Sequence, residues 1–459
     1  MAVELDDLFL IPVIDRYLLY FPLSHFAALV DKQAVSHIHN ALHSHTTLPG
    51  NLQPIVDQLI STQMPPPGLR TGHLDTPLFL GIIPTRNCNL GCRYCDFADP
   101  KQGGRIMDLN LARKSTDAYL NLLAETGKRS ADIHFFGGEP FFAPEVVQFV
   151  VEYASLRASE LGLSVHFEAI TNGLYNTSLC KWIADYFDTV ILSLDGPADI
   201  QEHHRPALNG HSTFATIARN AKILSVGTVD FIVRACVTSE TVGRMPEIAA
   251  WLAQEFHPSA VCFETLIESA LSRASGLVPP SPWEFARQFI EATRILRNYG
   301  IETICSTTNM QAIQASFCPI GKDSLIVSPD GLLNACYLLP ADWSRNDLNL
   351  SFGQVGDNGF EIDYPALQHI RNLSVYNKAL CKNCLCRYHC AGGCHVNHNA
   401  STLNQYDELC IQTRLITIAT LLAEIDQEAL TDEWLKDPIA MERSALQTTD
   451  CLWNVEPVC

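Results

Sequence analysis

The stretch CNLGCRYC, residues 88–95, places three thiols at Cys-x3-Cys-x2-Cys spacing directly after an apolar run that predicts a buried strand. Three thiolates from one short loop can hold three irons of a cubane [4Fe–4S] cluster and leave the fourth iron open to a small molecule. A structural zinc loop is the alternative, but zinc usually requires a fourth protein ligand nearby. No His or Cys lies between Cys95 and His134. The spacing therefore favours an iron–sulfur cluster with one exchangeable position.

The composition limits the possible classes of protein. A chain of 459 residues predicts two or three domains, and 47% hydrophobic with 18% charged residues is ordinary for a globular protein. We expect no membrane span and, because the acidic first residues lack the basic segment of a signal peptide, a cytosolic location. Seventeen cysteines in such a protein predict metal sites rather than disulfides. The net charge of −19 argues against nucleic acid as a partner.

Residues 1–75 form the first predicted unit, a small α+β segment. Apolar runs at 9–13, 17–21 and 26–30 predict short strands, whereas 33–43 and 52–61 have helical spacing. The Pro-rich stretch 64–68 ends the unit as a stiff linker. An extension that merely packs on the rest of the chain explains this unit as well as an independent function does.

Residues 76–300 alternate between strand and helix patterns. The predicted strands are 78–85, 132–136, 165–171, 190–194, 231–237 and 260–266. Apolar runs that alternate with amphipathic helices predict the α/β class, a parallel sheet covered by helices. Six units are too few for a closed eight-stranded barrel, so we expect a partial (β/α)6 barrel of the TIM type, with its chemistry at the carboxyl ends of the strands.

Polar residues follow these strands. Residues 137–140 read Gly-Gly-Glu-Pro, where glycines permit close approach of a ligand and a carboxylate can accept from an ammonium group. Asn172 and Ser193 follow the next two strands, although ordinary turns would also place such residues there. Arg205 and Arg234 are the two cations that could meet a ligand carboxylate in this region.

A second thiol-rich region spans residues 301–430. Its thiols in chain order are Cys318, Cys336, Cys381, Cys384, Cys390, Cys394 and Cys410. Between the first two, Asp330-Gly331 predicts the turn of a β-hairpin. Zinc knuckles would explain the closely spaced pairs, but they explain Cys318 and Cys336 less well.

These patterns resemble those of a known family. The Cys-x3-Cys-x2-Cys loop with Tyr94 before its last Cys resembles the signature of radical S-adenosylmethionine (SAM) enzymes, and the seven later thiols resemble their SPASM domain. The resemblance implies a partial barrel, SAM, one SAM-binding [4Fe–4S] cluster held by Cys88, Cys92 and Cys95, and two auxiliary clusters. It also implies an electron donor such as flavodoxin or ferredoxin.

The resemblance further implies roles for individual residues. It places the following near SAM: Tyr94, Gly137, Gly138, Glu139, Asn172, Ser193 and, in preference to Arg234, Arg205. It assigns Cys318, Cys336 and Cys394 to an inner auxiliary cluster, and Cys381, Cys384, Cys390 and Cys410 to an outer one. The inner set lacks a fourth thiolate. Cys305 is a candidate for that ligand, and an iron left open to substrate is the alternative.

The resemblance implies a radical SAM oxidoreductase that crosslinks side chains of a ribosomally made precursor peptide. The first unit resembles the small winged-helix-like domain that binds a leader peptide in such enzymes. An anaerobic sulfatase-maturing enzyme, which makes formylglycine, is the alternative within the family. A zinc- or cluster-stabilised binding protein is the alternative without catalysis. No residue is marked as a general base, and residues 431–459 are expected to be a tail.

Overall fold

The structure is a computed structural model that describes residues 7–44, 49–50, 52–62, 64–98, 104–398 and 405–446. Its first unit is an antiparallel sheet followed by two helices. The elements are β1 (Phe9–Val13), β2 (Arg16–Phe21), β3 (Phe26–Val30), α1 (Lys32–Ser44) and α2 (Gln53–Ser61). The strands pair in the order β1-β2-β3. The predicted elements of this unit are confirmed to within two residues at most ends.

Both faces of this small sheet are buried, because successive apolar side chains along β1 and β2 point to opposite faces. Val13 and Leu18 join the main core of the protein, whereas Leu19 and Phe21 pack in a separate cluster with residues of α1, α2 and Tyr388. Asp7 accepts a hydrogen bond from the Tyr388 hydroxyl at 3.0 Å. The unit is therefore fixed against the second thiol-rich region.

A parallel sheet forms the centre of the protein. Its strands are β4 (Leu80–Ile82), β5 (Ser130–Phe135), β6 (Ser164–Thr171), β7 (Thr189–Ser193), β8 (Asp230–Val237), β9 (Ala260–Thr265) and β10 (Glu302–Ile304). They lie side by side in chain order. The predicted α/β class and the six predicted strands are confirmed, and β10 adds a seventh parallel strand because it pairs with β9.

Helices cover one face of this sheet. They are α3 (Leu109–Glu125), α4 (Pro144–Leu161), α5 (Thr177–Tyr186), α6 (Ala198–His204), α7 (Phe214–Ser225), α8 (Met245–Glu255), α9 (Ala270–Ala274) and α10 (Pro282–Asn298). Side chains on the covered face, such as Ile133 and Phe135, are fully buried. Side chains at the alternate positions, such as His134, are partly exposed and line the concave face. We call the space in front of that face the lumen.

The lumen is lined in three layers, which follow from strand register. His134, Glu168 and Asp230 share the lower layer. Two residues further along each strand, Ile170 and Ile232 belong to an apolar middle layer. A polar upper layer, where the motif residues lie, comes after another two residues. At about 3.3 Å of rise per residue, the upper layer stands about 13 Å above the lower one.

The second thiol-rich region extends the same sheet. Strand β11 (Leu325–Val327) pairs parallel with β4 and forms the predicted hairpin with β12 (Leu332–Asn334). Strands β13 (Ser351–Gly356) and β14 (Gly359–Ile362) complete a sheet of 11 strands. The remaining helices are α11 (Pro340–Ser344), α12 (Tyr364–Arg371), α13 (Glu408–Glu424), α14 (Glu428–Lys436) and α15 (Pro438–Leu446).

The expectation of a tail from residue 431 is wrong for the described part of that segment. Helix α15 packs against β1, and the Ser444 hydroxyl donates to the Pro12 carbonyl. Trp434, Ala440 and Met441 are buried in the main core. Their helical spacing gives this segment a face to bury, a signal that the sequence analysis overlooked. No helix of the described residues has the length and apolar character needed to span a membrane.

Candidate functional site

The loop of residues 88–95 begins beyond β4, at the carboxyl edge of the parallel sheet. Its backbone is held against the segment that follows α6: Gly91 N donates to the Pro206 carbonyl at 2.8 Å, and Arg93 N donates to the His204 carbonyl at 2.9 Å. The loop therefore lies at the edge where the sequence predicted the chemistry. We call it the cluster loop.

The three thiols of the cluster loop face one another. Burial, together with the neighbouring charges of Cys95 and Cys88, raises the pKa of Cys92 above its usual value even though Arg205 opposes the shift. Burial and the nearby Glu139 raise the pKa of Cys88 to about 12. Grouped thiols of this kind ionise when a cation replaces their protons. The donor set therefore fits three sites of a [4Fe–4S] cluster.

Gly137 and Gly138 pack on the cluster loop. A Cβ atom at Gly138 would collide with the backbone of Arg86 and Asn87, and Gly137 has a φ of 138°. The Glu139 amide then donates to the Asn87 carbonyl at 2.8 Å. The sequence predicted that these glycines admit a ligand, but a Cβ atom would meet the chain itself: the Ile83 side chain at Gly137 and the backbone at Gly138. They fix the turn to the cluster loop.

Glu139 is buried and already accepts three hydrogen bonds. The donors are the Asn172 amide at 2.7 Å, the Thr171 hydroxyl at 2.8 Å and the Phe141 amide at 3.1 Å. Burial raises the pKa of Glu139 to about 7 against these bonds. The carboxylate thus ties the ends of β5 and β6 together, and a cation beside it would favour its ionised form.

Asn172 and Ser193 lie in the upper layer of the lumen. The Asn172 side-chain nitrogen Nδ2 lies 3.5 Å from the Cys88 sulfur and 2.8 Å from the Asn89 side-chain oxygen. Ser193 is partly exposed and in register with Arg234 on the next strand. Asn172 therefore contacts the cluster loop directly, whereas Ser193 faces the open lumen.

Tyr94 and Arg205 meet at a buried acid that the sequence analysis did not assign. The Tyr94 hydroxyl donates to Asp195 Oδ2 at 2.6 Å, and Arg205 Nε lies 3.1 Å from the same oxygen. His204 Nδ1 lies 3.1 Å from it as well. Burial alone would raise the pKa of Asp195, but Arg205 and His204 outweigh it and hold that pKa well below its usual range.

Arg205 and Arg234 therefore differ in their engagement. Arg205 is paired with Asp195, and its guanidinium lies over the Tyr94 ring at 5.3 Å from the centroid. Arg234 is exposed in the upper layer, and its side chain forms no hydrogen bond or ion pair with the described residues, although the charge of Glu264 acts on it and raises its pKa. Of the two cations, Arg234 is the one whose guanidinium is free to meet a ligand.

The three thiols expected for the inner auxiliary cluster lie close together. The thiols of Cys336 and Cys394 both act electrostatically on Cys318, and with burial they raise its pKa. Cys318 itself has a left-handed backbone, with φ 50°. Burial raises the pKa of Cys336 to about 12. We call these three residues the inner set.

The four thiols expected for the outer cluster also meet. Cys390 is influenced by Cys384 and Cys381, and Cys410 by Cys384 and Cys390. A hydrogen bond from Cys386, opposed by burial and helped by the Arg414 guanidinium at 3.3 Å, lowers the pKa of Cys384 to about 5. Thiolates in this number and grouping fit a second cubane cluster.

A histidine and an aspartate adjoin this outer set. His398 Nδ1 lies 2.7 Å from Asp407 Oδ2, and its Nε2 lies 3.5 Å from the Cys410 sulfur. Partners of this kind orient ligands and adjust the properties of a metal centre. Neither residue was singled out from the sequence. Their significance comes from their proximity to Cys410 in the fold.

Cys305 contacts groups outside the inner set. It follows β10, and its sulfur lies 3.7 Å from the Thr307 hydroxyl. Burial and the charge of Glu264 raise its pKa to about 12. The charge of the Cys305 thiolate in turn acts on the Cys262 thiol. These neighbours belong to the lumen edge at β9 and β10, so the contacts do not favour Cys305 as a ligand of the inner set.

Comparison with known proteins agrees with this arrangement. Residues 82–252 match the family model described as the Radical SAM superfamily. A serine-type anaerobic sulfatase-maturating enzyme of Klebsiella aerogenes is 24% identical over 335 residues, which are 69% of this chain and 79% of that protein. A cysteine-type enzyme of Clostridium perfringens is 23% identical over 342 residues, or 69% and 89%.

Two solved structures share the fold. The sulfatase-maturating enzyme anSMEcpe with bound AdoMet and Kp18Cys peptide has a TM-score of 0.58 at 20% identity and covers 78% of this chain and 100% of its own. Streptococcus suis SuiB bound to S-adenosylmethionine has a TM-score of 0.51 at 12% identity and covers 88% and 100%. Residues 82–252 therefore carry a radical SAM domain, a family that uses a [4Fe–4S] cluster and SAM, and the chain shares its fold with these two structures.

Proposed function

We propose that the protein is a radical SAM oxidoreductase that modifies a ribosomally made precursor peptide by forming a crosslink between side chains. The observation that carries the proposal is the meeting of the cluster loop and the inner set at one lumen. Phe97, whose amide donates to the Cys95 sulfur, packs edge-on against Phe136 at 4.8 Å. Phe136 in turn contacts Tyr337, the neighbour of Cys336, at 5.0 Å.

The upper layer of the lumen would hold SAM. When bound, the first cluster and SAM supply the radical that removes a hydrogen atom from substrate. The chain's own part is position: Glu139 offers a carboxylate to the SAM ammonium, Asn172 supports the cluster loop, and Arg234 offers a guanidinium to the SAM carboxylate. Arg205 supports this site indirectly, through its contacts with Asp195 and Tyr94.

The middle layer would receive the side chain that is attacked. Its residues are apolar, so they exclude water and leave few groups that compete for a reactive radical. Phe136 and Tyr337 form its wall towards the inner set. An electron given up by the substrate would then have an auxiliary cluster nearby as its acceptor, which is what bond formation by oxidation requires.

The N-terminal unit would bind the leader segment of the precursor. Strand β3 is at the edge of its sheet, with β2 on one side and no described strand on the other. An extended peptide can add to such an edge through backbone hydrogen bonds. Because the unit rests against the second thiol-rich region through Tyr388, a bound leader would be held next to the modifying domain.

Maturation of a sulfatase is the second candidate, because the sulfatase-maturating relatives align with more than two thirds of the chain. The peptide-bound anSMEcpe structure covers 78% of this chain, whereas the SuiB structure covers 88%. About a fifth of the chain therefore has no counterpart in the former. The N-terminal unit, with an edge strand that could take up a leader segment, favours precursor crosslinking over formylglycine formation.

The test uses the full-length protein, reconstituted with iron and sulfide without oxygen and supplied with SAM and a chemical reductant. It is offered two peptides: one encoded by a short reading frame beside its gene, and an 18-residue sulfatase-type peptide that contains Cys. Mass spectrometry of a crosslinked precursor, two hydrogens lighter, supports the proposal. Formylglycine in the sulfatase-type peptide alone supports the second candidate.

The same experiment tests the non-catalytic alternative. A binding protein stabilised by zinc or by clusters would bind a peptide without cleaving SAM. Formation of 5′-deoxyadenosine under reduction excludes that alternative, and its absence from a fully reconstituted sample overturns the proposal. A flavodoxin or ferredoxin as the natural electron donor, and a cytosolic location, remain predictions.

A further inference from the structure

The lower layer of the lumen contains a pair of ionisable side chains that no step above uses. His134 on β5 and Glu168 on β6 are direct neighbours in strand register, and His134 Nδ1 lies 3.5 Å from Glu168 Oε1. Their side chains are 25% and 29% exposed. Both side chains are therefore partly buried at the concave face of the sheet and remain accessible to a molecule in the lumen.

Aromatic contacts connect this pair to the inner set. The His134 ring stacks on Phe79 at 4.2 Å, and Phe79 stacks in parallel on Tyr337 at 6.5 Å. The Tyr337 hydroxyl lies over Gly81, the register neighbour of His134, where any Cβ atom would displace it. Tyr337 directly follows Cys336, and the charges of Glu168 and Cys336 both act on its hydroxyl, so this tyrosine is a shared neighbour of the pair and of the inner set.

The protonation of the pair suits the transfer of a proton near neutral pH. Burial, with the charges of Asp132 and Asp230, raises the pKa of Glu168 to about 7. Burial lowers the pKa of His134 to about 4, so its imidazole is neutral. A carboxylate with a pKa near the working pH is the most effective kind of general base. The neutral imidazole beside it leaves the proton on the carboxylate and can orient that carboxylate by a hydrogen bond.

Other carboxylates at the lumen are already engaged. Glu139 is enclosed by three donors, and Asp195 is in its buried ion pair. Glu264 accepts from the Ser306 amide and hydroxyl, both at 3.0 Å. Glu168 differs because its described partner is a single histidine and the carboxylate remains partly exposed. It is thus the acid best placed to accept a proton from a group in the apolar middle layer.

We propose that Glu168, assisted by His134, accepts the proton that the substrate radical loses as it is oxidised. This inference rests on the proposed function. With SAM and its clusters bound, the protein would remove one hydrogen atom from the substrate and leave a carbon radical. An oxidised auxiliary [4Fe–4S] cluster, which Cys318, Cys336 and Cys394 would hold, would be the acceptor of one electron from that radical, and the Glu168 carboxylate would accept the proton that the substrate loses with it. The substrate has then lost two hydrogens in all, as an oxidative crosslink requires.

The principal test is Glu168→Gln in the reconstituted full chain, with the peptide that the wild-type protein modifies and with deuterium at the attacked carbon. Deuterium should still appear in 5′-deoxyadenosine, while the crosslinked product formed per 5′-deoxyadenosine falls about 10²- to 10⁴-fold, the usual effect of losing a general base. Glu160→Gln, on the outer helix α4, is the matched control and should keep the wild-type ratio. An unchanged ratio in Glu168→Gln overturns the role.

The pH profile separates a chemical role from a packing role. In the wild type, product per 5′-deoxyadenosine should rise with pH as Glu168 ionises, and this rise should vanish in Glu168→Gln. The charged or titratable groups around Glu168 are Asp132 and His134 on β5, Asp230 on β8, and Tyr337 beyond β12. A profile that persists in Glu168→Gln assigns the titration to one of these groups and contradicts the proposal.

A measurement without peptide tests the proton-acceptor role separately from the proposed function. Infrared difference spectra of the reconstituted protein between acidic and alkaline pH, compared with Glu168→Gln, report the protonation of this carboxyl group directly. We expect a titration near neutral pH, and one at the ordinary value for glutamate overturns the inference. If no peptide is modified by the wild type, the proposed function fails. If the peptide is modified with the normal ratio in Glu168→Gln, only the proton-acceptor role fails.

Discussion

The Tyr94 hydroxyl donates a hydrogen bond to the Asp195 carboxylate across 2.6 Å, and this contact joins the cluster loop to the end of β7. Arg205 and His204 contact the same buried acid. The Asp195 side chain is fully buried, so its charge depends on these partners. The group acts as a fixed support beneath the cluster loop.

Asp195→Asn should destabilise the protein strongly. It removes the charge that compensates a buried guanidinium, a change that typically costs about 3–5 kcal/mol. Asp199→Asn is the control, since Asp199 forms an exposed pair with Arg244 and should cost under about 1 kcal/mol. Urea unfolding of both variants without oxygen measures the difference. Equal effects would show that the Asp195 group does not support the fold.

Glu139→Gln should remove a pH dependence of SAM binding. Because the pKa of Glu139 is about 7, SAM affinity of the wild type should increase about tenfold between pH 6 and pH 8, as the carboxylate ionises. The sign for folding is opposite: the folded pKa exceeds the unfolded value of about 4.3, so the SAM-free protein loses stability as pH rises between these values.

Calorimetric titration of SAM into the reconstituted protein at both pH values measures the effect of Glu139. The glutamine variant keeps the side-chain shape, and its iron content should equal that of the wild type because Glu139 ligates no metal in this account. A pH-dependent affinity that survives in the variant would show that another group titrates.

The sequence predicted the strands well, because strand patterns depend on local spacing, whereas the inner and outer sets of thiols were implied by the family resemblance. Cys88, Cys92 and Cys95 lie on one short loop, so their proximity follows from the chain itself. The association of Tyr94 with Asp195 could not be predicted in this way. These residues come from different loops, and only the register of β4 to β7 brings them together.

The lower layer of the lumen illustrates the same limit. The alternation along β5 and β6 is visible in the sequence, but a shift of one residue in register would place Glu168 on the covered face. Cys305 stays a prediction, made from its proximity in the chain to Cys318. In the fold it lies instead beside Glu264 and Cys262.

Arg234→Gln and Arg205→Gln should have different consequences. The Arg234 side chain forms no hydrogen bond or ion pair with the described residues, so its replacement should leave stability within about 0.5 kcal/mol of the wild type. SAM binding should weaken, because the guanidinium that would meet the SAM carboxylate is lost. Arg205→Gln breaks the buried pair with Asp195 and should lower stability by about 3–5 kcal/mol. Parallel calorimetry and urea unfolding compare them. Normal SAM affinity in Arg234→Gln would favour Arg205, the residue preferred from the sequence.

Cys305→Ala should leave the inner cluster unchanged. The Cys305 thiol contacts Thr307 rather than the inner set, and replacing a small buried side chain by Ala removes little packing. Mössbauer spectra of the reconstituted variant should match those of the wild type in iron content and cluster type. A changed auxiliary-cluster signal, with slower product formation, would instead establish Cys305 as the missing ligand.

The central claim is that the cluster loop generates a radical which attacks a peptide held in the lumen. The most direct test is transfer of deuterium from a fully deuterated peptide substrate to 5′-deoxyadenosine, measured for the wild type and for Cys92→Ala. The account predicts deuterated 5′-deoxyadenosine from the wild type alone, with about one third of the iron missing from Cys92→Ala because each cubane has its own thiolates. Deuterium transfer by Cys92→Ala, or its absence in a wild type that cleaves SAM and modifies the peptide, would contradict the account.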